Sequence, residues 1–178
     1  MNIIVISNPE NIPNEHQLIE SLFEEGLEYF HLRKPTFSNK EMEEFIKQIP
    51  EKHHNRVVLH AKIPSFHSLK EIEEYQGKYN YALLSPIFDS ISKIGYKSNF
   101  DLQEVKSFLQ RRRNIIALGG VDEDKIETVR ELGFAGVALL GAIWQSENPI
   151  EKFKRILRSC SEVIRKNNLA TDYTNFHR

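Results

Sequence analysis

Short apolar runs alternate along the chain with segments whose apolar positions recur every three or four residues. Residues 3–7 (IIVIS) form an uninterrupted apolar run, which predicts a buried strand. The next segment, 16–25, carries its apolar residues at helical spacing and is followed by Gly26, which predicts an amphipathic helix. Strands that are apolar on both faces need helices to cover both faces of their sheet. This first unit therefore indicates a parallel α/β fold.

The same alternation continues through most of the chain. Further strands are predicted at 29–33, 56–60, 63–67, 81–88, 114–120 and 136–143. Further helices are predicted at 38–49, where Ser38 and Glu41 have capping-box spacing, at 101–112, at 122–132, and from about 150 onward. The last dozen residues lack periodicity and predict a loose tail. We expect one domain over 1–166 and a tail over 167–178.

The ends of the strands help to choose between two architectures, a doubly wound open sheet and a TIM (β/α)8 barrel. In the second strand, alternation places Tyr29, His31 and Arg33 on one face, which becomes more polar toward the carboxyl end. Two later strands end in small residues, Gly119-Gly120 and Gly141-Ala142. Barrels commonly hold a phosphate at the loops after strands seven and eight, so this pattern favours the barrel. Alternatively, these residues only permit tight turns between strand and helix.

One strand-helix unit of a complete barrel is missing from the sequence. Only Ala61 and Lys62 separate the predicted strand ending at His60 from the next one beginning at Ile63. Neighbouring parallel strands need a crossover of about a dozen residues, and complete barrels have about 200 residues or more. The 178-residue chain is therefore an incomplete barrel, or the sequence omits an internal segment near residues 60–64.

Composition and charge narrow the class of protein. The 24 Lys and Arg residues nearly balance the 25 Asp and Glu residues, which argues against nucleic-acid and membrane-surface partners. Cys160 is the single cysteine, so no internal disulfide can form. The chain has neither the pattern of a signal peptide nor an apolar run long enough to span a membrane. We expect a soluble cytoplasmic protein.

Five motifs occur in a familiar order: HLRKP from 31, SFHSLKEI from 65, SPIFDSISK from 85, ALGG from 117 and GVALLGAI from 136. In this order they resemble the thiamine phosphate synthase family, which includes the related thiazole tautomerases. The resemblance implies a (β/α)8 barrel that joins hydroxymethylpyrimidine diphosphate to a thiazole phosphate and releases pyrophosphate. It also implies Mg²⁺, small phosphorylated substrates as partners, and compatibility with a homodimer.

The resemblance assigns roles to particular residues. Catalytic roles, stabilising the departing pyrophosphate, fall to Arg33, Lys34, Ser65 and Lys93. Substrate-binding roles fall to His31, Ser90, Ser92, Gly119, Gly120, Gly141 and Ala142. From residue type alone, Arg33 also fits a solvated basic loop and the segment 90–93 a polar surface loop. Ser68, three residues before Glu71, is interpreted as a helix cap.

The chain also departs from the family pattern. His31 stands in place of a glutamine, and Pro35 occupies the position of a lysine, which here lies one residue earlier at Lys34. The two aspartates that bind Mg²⁺ have no counterpart, so the metal ligands are unknown. Pro86 stands where tautomerases carry a catalytic histidine.

The leading hypothesis for the function is a synthase. The alternatives are a non-catalytic thiazole or thiamine phosphate binding protein, and a tautomerase whose base is His31, His60 or His67.

Overall fold

The computed structural model describes residues 1–89 and 97–161, and these form one curved parallel sheet with helices on its outside. The seven strands in this described part are β1 (Asn2–Ile6), β2 (Tyr29–Leu32), β3 (Val57–Leu59), β4 (Ser65–Phe66), β5 (Ala82–Leu84), β6 (Ile115–Leu118) and β7 (Gly136–Leu139). Their order in the sheet is β3-β2-β1-β7-β6-β5-β4, and each neighbouring pair is parallel. This is the strand order of a (β/α) barrel that is open between β3 and β4.

Helices follow most of the strands. They are α1 (Glu15–Glu24), α2 (Asn39–Lys47), α3 (Leu69–Glu74), α4 (Leu102–Leu109), α5 (Ile126–Leu132), α6 (Gly141–Trp144) and α7, whose described part covers 149–161. Sequence signals for their ends are confirmed: Ser38 and Glu41 form a reciprocal capping box on α2. Ser68 accepts a hydrogen bond from the Glu71 N–H at the start of α3, as expected of a cap. Within the described ranges, we find no helix that is both long enough and apolar enough to cross a membrane.

The strands bury both of their faces, as the apolar runs predicted. On β1, Ile3 and Val5 belong to the large core between the sheet and the helices, whereas Ile4 and Ile6 belong to a smaller core inside the barrel. Leu83, Ile116 and Ala138 complete that inner core. On β2 the helix-facing side chains are Phe30 and Leu32, which leaves the alternate position, His31, for the interior.

The opening of the barrel lies where the sequence lacks a crossover. Within the described residues, β3 pairs only with β2 and β4 pairs only with β5, so these two strands are the edges of the sheet. The connection of residues 60–64 includes a 3-10 turn (His60–Lys62), closed by the Ile63 N–H donating to the His60 carbonyl at 3.0 Å. A link this short passes from one edge to the other without a helix, and the expectation of an incomplete barrel is confirmed.

Several predicted strands end earlier in the structure than in the sequence pattern. The run 81–88 contributes only Ala82–Leu84, and the Ser85-Pro86 peptide bond that follows the strand is cis. The prediction of a strand over 136–143 is wrong beyond Leu139, since residues from Gly141 form the short helix α6. Similarly, the predicted helix 122–132 begins as a 3-10 turn (Glu123–Lys125) before α5. The predicted tail, 167–178, lies outside the described residues.

Candidate active site

A cavity of about 760 Å³ opens at the carboxyl ends of the strands. The ends of all seven strands contribute to it, so the side chains that follow the strands converge there. Its lining comprises Ile6, Asn8, Pro9, Glu10, Arg33, His60, Ser65, His67, Ser85, Leu118, Gly119, Gly120, Val121, Ala138, Leu140, Gly141, Ala142, Trp144 and Gln145. In parallel α/β proteins this end of the sheet is where ligands bind. We call this cavity the mouth pocket.

Arg33 reaches the mouth pocket from the end of β2, and its backbone is fixed by Ser7. The Arg33 N–H donates to Ser7 Oγ at 2.8 Å, and the Ser7 hydroxyl donates back to the Arg33 carbonyl at 2.9 Å. Ser7 is completely buried, so its hydroxyl is shielded from water and relies on Arg33 as its partner. The Arg33 side chain itself is exposed, which leaves its guanidinium available to an anionic ligand.

The glycine pair after β6 is held against the segment after β5. Gly119 and Gly120 have φ values of 89° and 67°, in the left-handed region that favours glycine. A Cβ on Gly120 would lie 2.3 Å from the Asp89 carbonyl oxygen, so no larger residue fits at this position. The Phe88 N–H donates to the Gly119 carbonyl at 3.1 Å and ties the two segments together. Both glycines line the mouth pocket.

Gly141 and Ala142 line the same pocket from the first turn of α6. The first N–H groups of a helical turn have no carbonyl partner within the helix, so they can donate to a ligand. Trp144 closes the turn, since its indole N–H donates to the Ile6 carbonyl at 2.6 Å. This hydrogen bond fixes α6 against the end of β1.

Lys34 lies outside the mouth pocket, unlike the residue beside it. Its side chain is completely buried, and its ammonium donates to the Glu10 carbonyl at 2.6 Å and forms an ion pair with the Glu15 carboxylate. The rings of Phe37 and Phe45 lie 6.0 and 5.4 Å from the Lys34 ammonium. Burial raises the pKa of Glu15, against the opposing effect of the hydrogen bond from Lys34. The structure thus places Lys34 as an anchor for the loop that contains Glu10, whose side chain lines the pocket.

His31 also lies outside the pocket lining, and its ring contacts that of His60, which lines the pocket. The Nδ1 atoms of the two rings are 3.4 Å apart, and His31 Nε2 lies 2.6 Å from the Tyr81 hydroxyl. Burial, together with His60, lowers the pKa of His31 to about 3, and burial together with Arg33 lowers the pKa of His60 to about 4. Burial raises the pKa of Tyr81 to about 12, with a further contribution from Tyr29. All three side chains are therefore neutral at neutral pH.

The other predicted site residues divide into two groups. Ser65 lines the mouth pocket from β4, and His67, which donates from Nδ1 to the Ser85 carbonyl at 2.8 Å, lines it nearby. The predictions for Ser90, Ser92 and Lys93 lie outside the described residues. Among the described residues on either side of them, the Ser98 hydroxyl donates to the Ile87 carbonyl at 2.8 Å.

Sequence reasoning missed Ser7, Tyr81 and Trp144 as site residues. Each makes its contact with a residue far away along the chain: 26 positions for Ser7 and Arg33, 50 for Tyr81 and His31, and 138 for Trp144 and Ile6. The signal that could have pointed to Ser7 and Tyr81 is their position, because each lies at one end of an apolar run that forms a strand.

The residues around the mouth pocket do not fit a protein-bound Mg²⁺. Among the described residues that line it, Glu10 is the one carboxylate, and the ion prefers several hard oxygen ligands. In the described part of the chain, no group of three or more His, Cys, Asp or Glu side chains is arranged to hold a metal ion. Mg²⁺ thus remains an expectation from the resemblance, without ligands assigned to it.

Comparisons with known proteins give a consistent picture. A family model described as thiamine monophosphate synthase matches residues 64–143. Thiamine-phosphate synthases of Prochlorococcus marinus and Anoxybacillus flavithermus are 31% and 30% identical to this chain over 62% and 52% of its length. Those matches span 33% and 44% of the two relatives, so this chain covers less than half of each curated protein.

Solved structures match over a longer part of the chain. Thiamine phosphate pyrophosphorylase from Bacteroides thetaiotaomicron is 27% identical, with a TM-score of 0.77 over 90% of this chain and 98% of that chain. The protein of the same name from Pyrococcus furiosus is 17% identical, with a TM-score of 0.74 over 91% and 96% of the two chains, and supports the fold. Sequence motifs, family model, curated relatives and fold thus all point to similarity with thiamine-phosphate synthases.

Proposed function

We propose that this protein is a thiamine phosphate synthase-like transferase that joins hydroxymethylpyrimidine diphosphate to a thiazole phosphate. The observation that carries the proposal is the convergence of Arg33, Ser65 and two small-residue pairs on one pocket. A reaction between two phosphorylated substrates needs an anion site at each end of such a pocket. The similarity to thiamine-phosphate synthases supports this choice of the two substrates.

In the proposed reaction the pyrophosphate group leaves the pyrimidine first. The bond between the methylene carbon and the bridging oxygen breaks, and the electron pair departs with the pyrophosphate. The thiazole nitrogen then donates its lone pair to the resulting carbocation. Arg33 and Ser65 stabilise the developing charge on the departing pyrophosphate by hydrogen bonding, and Lys93 is proposed to add a second cation.

The thiazole phosphate is proposed to lie at the other side of the mouth pocket. Backbone N–H groups of Gly119 and Gly120 and of Gly141 and Ala142 would hold its oxygens. The left-handed backbone at Gly119 and Gly120 supports this role, because a concave stretch of backbone turns successive N–H groups toward one point. Ser90 and Ser92 are proposed to bind the same ligand.

Lys34 and His31 have positioning roles in this proposal. The Lys34 ammonium holds the Glu10 loop by donating a hydrogen bond to the Glu10 carbonyl. His31 holds the His60 ring through the contact between their Nδ1 atoms. No step of the proposed reaction uses a protein-bound metal. The proposed setting is the cytoplasm, with small phosphorylated molecules as partners.

The proposal is tested by incubating purified protein with both substrates in millimolar Mg²⁺ and measuring thiamine phosphate by chromatography. We expect product that increases with protein concentration and decreases at least about tenfold in the Arg33→Ala variant. Product at the level of a protein-free control would contradict the synthase proposal.

A second candidate is a non-catalytic protein that binds thiazole phosphate or thiamine phosphate. The described lining of the mouth pocket favours it, since that lining has one carboxylate, Glu10, beside Arg33, Ser65 and the two small-residue pairs. Isothermal titration calorimetry separates the two functions. Tight binding of a phosphorylated ligand, unchanged by Mg²⁺ and without turnover, supports the binding protein, and turnover rules it out.

A further inference from the structure

A row of polar side chains crosses the interior of the barrel and ends at the mouth pocket. Tyr81 contacts His31 through the 2.6 Å pair between the hydroxyl and Nε2, and His31 contacts His60 through the 3.4 Å pair of Nδ1 atoms. His31 is completely buried, whereas His60 lines the pocket. Since His60 Nδ1 faces His31, its Nε2 is the ring nitrogen left for a ligand.

The row has two possible hydrogen-bond directions. A neutral imidazole carries one N–H and one lone pair, so each ring donates on one side and accepts on the other. In the first direction, the Tyr81 hydroxyl donates to His31 Nε2, His31 Nδ1–H donates to His60 Nδ1, and His60 Nε2 carries a proton. In the second direction every bond is reversed, and His60 Nε2 carries a lone pair.

We propose that Tyr81, His31 and His60 form a neutral proton relay whose working end is His60 Nε2, which exchanges a proton with the ligand in the mouth pocket. His60 is then the acid–base residue, and His31 and Tyr81 are positioning residues that act through it. The inference rests on the proposed function only in taking the mouth pocket as the ligand site.

The proton balance of the relay follows from the two directions. When an N–H or O–H group of the ligand gives its proton to His60 Nε2, the His60 Nδ1 proton moves to His31 Nδ1. The His31 Nε2 proton then moves to the Tyr81 oxygen, and the proton that the phenol carried passes to water, which the partly exposed Tyr81 can reach. Each ring gains one N–H bond and loses the other, so neither ring becomes charged. The reverse sequence delivers a proton to the ligand.

The surroundings favour such a neutral relay over a charged histidine. Burial and the charge of Arg33 disfavour an imidazolium at His60, while burial and His60 disfavour one at His31. Tyr29 acts on Tyr81 in the same direction, against a phenolate. A relay that moves protons between neutral states creates neither an imidazolium at His31 or His60 nor a phenolate at Tyr81. It suits ligands with an exchangeable N–H or O–H group, such as nitrogen heteroaromatic rings.

The test uses the free, full-length protein and does not depend on synthase activity. In protein with ¹⁵N-labelled histidine, the shifts of Nδ1 and Nε2 report the protonation of each ring between pH 5 and 8. We expect His31 and His60 to keep the signature of neutral rings throughout. We also expect Tyr81→Phe, which removes only the hydroxyl, to change the ratio of the two tautomers at His60, a residue that the relay places one ring away.

The control is Tyr79→Phe, because Tyr79 packs on Phe66 and Tyr75 rather than on either histidine. This variant should leave the His60 tautomers unchanged. The relay is ruled out if either ring titrates above pH 5, or if Tyr81→Phe changes His60 no more than Tyr79→Phe does. Failure of the synthase assay with a positive result here would reject the proposed function and keep the relay.

Discussion

Ser7 and Arg33 hold each other through two backbone-to-side-chain hydrogen bonds, although 26 residues separate them along the chain. The pair joins the carboxyl ends of β1 and β2 and sets the point from which the Arg33 side chain leaves the sheet. A serine that looks like the last residue of an apolar run is thus a positioning residue of the mouth pocket.

Replacing Ser7 by alanine is expected to lower stability and ligand binding together. The variant leaves the Arg33 N–H and carbonyl without their buried partner, which costs about 1–3 kcal/mol in the free energy of unfolding. Urea denaturation measures this loss, and pyrophosphate titration should show weaker binding. Ser107→Ala is the control: that exposed serine donates to the Gln103 carbonyl within α4, and its loss should change little. Equal effects of the two variants would contradict the role assigned to Ser7.

Arg33 is expected to dominate the affinity for pyrophosphate. Arg33→Ala should weaken binding about 10- to 100-fold, the loss of about 1.5–3 kcal/mol that a hydrogen bond to a charged group contributes. Arg33→Lys keeps the charge but lacks the planar fork, so it should recover only part of the affinity. Calorimetric titration with pyrophosphate checks both variants. Arg111→Ala, at an exposed position beyond α4, serves as the control for the loss of one positive charge.

Gly120→Ala and Gly133→Ala separate steric collision from backbone strain. Both residues have positive φ, 67° and 95°, so alanine costs about 1–2 kcal/mol at either position. A Cβ at Gly133 meets its nearest atom, Leu109 Cβ, at an ordinary 3.6 Å, whereas one at Gly120 would collide with the Asp89 carbonyl. Urea denaturation should therefore show a larger loss for Gly120→Ala. A loss no greater than that of Gly133→Ala would show that this backbone approach is not required.

Acid is expected to destabilise the protein through the two interior histidines. The folded pKa values of about 3 for His31 and about 4 for His60 lie below the ordinary 6.5, so the unfolded chain takes up protons first. Stability is complete above about pH 6.5 and falls as the pH drops toward the folded values. Because each histidine takes up a proton only in the unfolded chain, each should lower the free energy of unfolding by about 1 kcal/mol between pH 7.5 and 5.5.

His31→Gln tests this linkage, and His16→Gln is the matched control on α1 at a partly exposed position. Free energies of unfolding are measured at pH 5.5 and 7.5 for each protein. The difference between the two pH values should shrink by about 1 kcal/mol in His31→Gln and stay as in the original protein in His16→Gln. An unchanged difference in His31→Gln would show that His31 accepts a proton in the folded state.

Lys34→Met is expected to act on stability more than on catalysis. It leaves Glu15 buried without its cation, a change that costs about 3–5 kcal/mol in the free energy of unfolding. The double variant Lys34→Met, Glu15→Leu removes both charges and should regain most of this loss. Urea denaturation of the two variants measures the difference. A double variant that is stable but inactive would instead assign Lys34 a direct part in the reaction.

Much of the fold was predictable because buried parallel strands need long apolar runs, and Ile3 to Ile6 provides one. The pattern overestimates strand length where apolar residues continue past the sheet, as at Ile87 and Ile143, which pack in the core after the chain has turned. Hydrophobicity reports burial rather than hydrogen bonding to a neighbouring strand, so these ends could not be read from it.

The candidate site was predictable where one residue carries the chemistry alone. Arg33 and the pair Gly119-Gly120 reach the mouth pocket from motifs that are visible in the sequence. Lys34 follows Arg33 directly, yet its side chain is buried against Glu15 rather than in the pocket. Where a role depends on a partner across the sheet, as for Tyr81 with His31, the pairing of strands has to be known first.

The gap between β3 and β4 has a mechanical consequence for the mouth pocket. Arg33 and His60 line it from one edge of the sheet, and Ser65 lines it from the other. In a closed barrel a ladder of hydrogen bonds would fix the distance between these edges. Here residues 60–64 connect the two edges through the backbone alone, because the described residues of β3 and β4 form no strand-to-strand hydrogen bonds with each other. The width of the binding site is thus limited by this short link, and shortening or stiffening residues 61–64 would change how the pocket holds a ligand without replacing any pocket-lining residue.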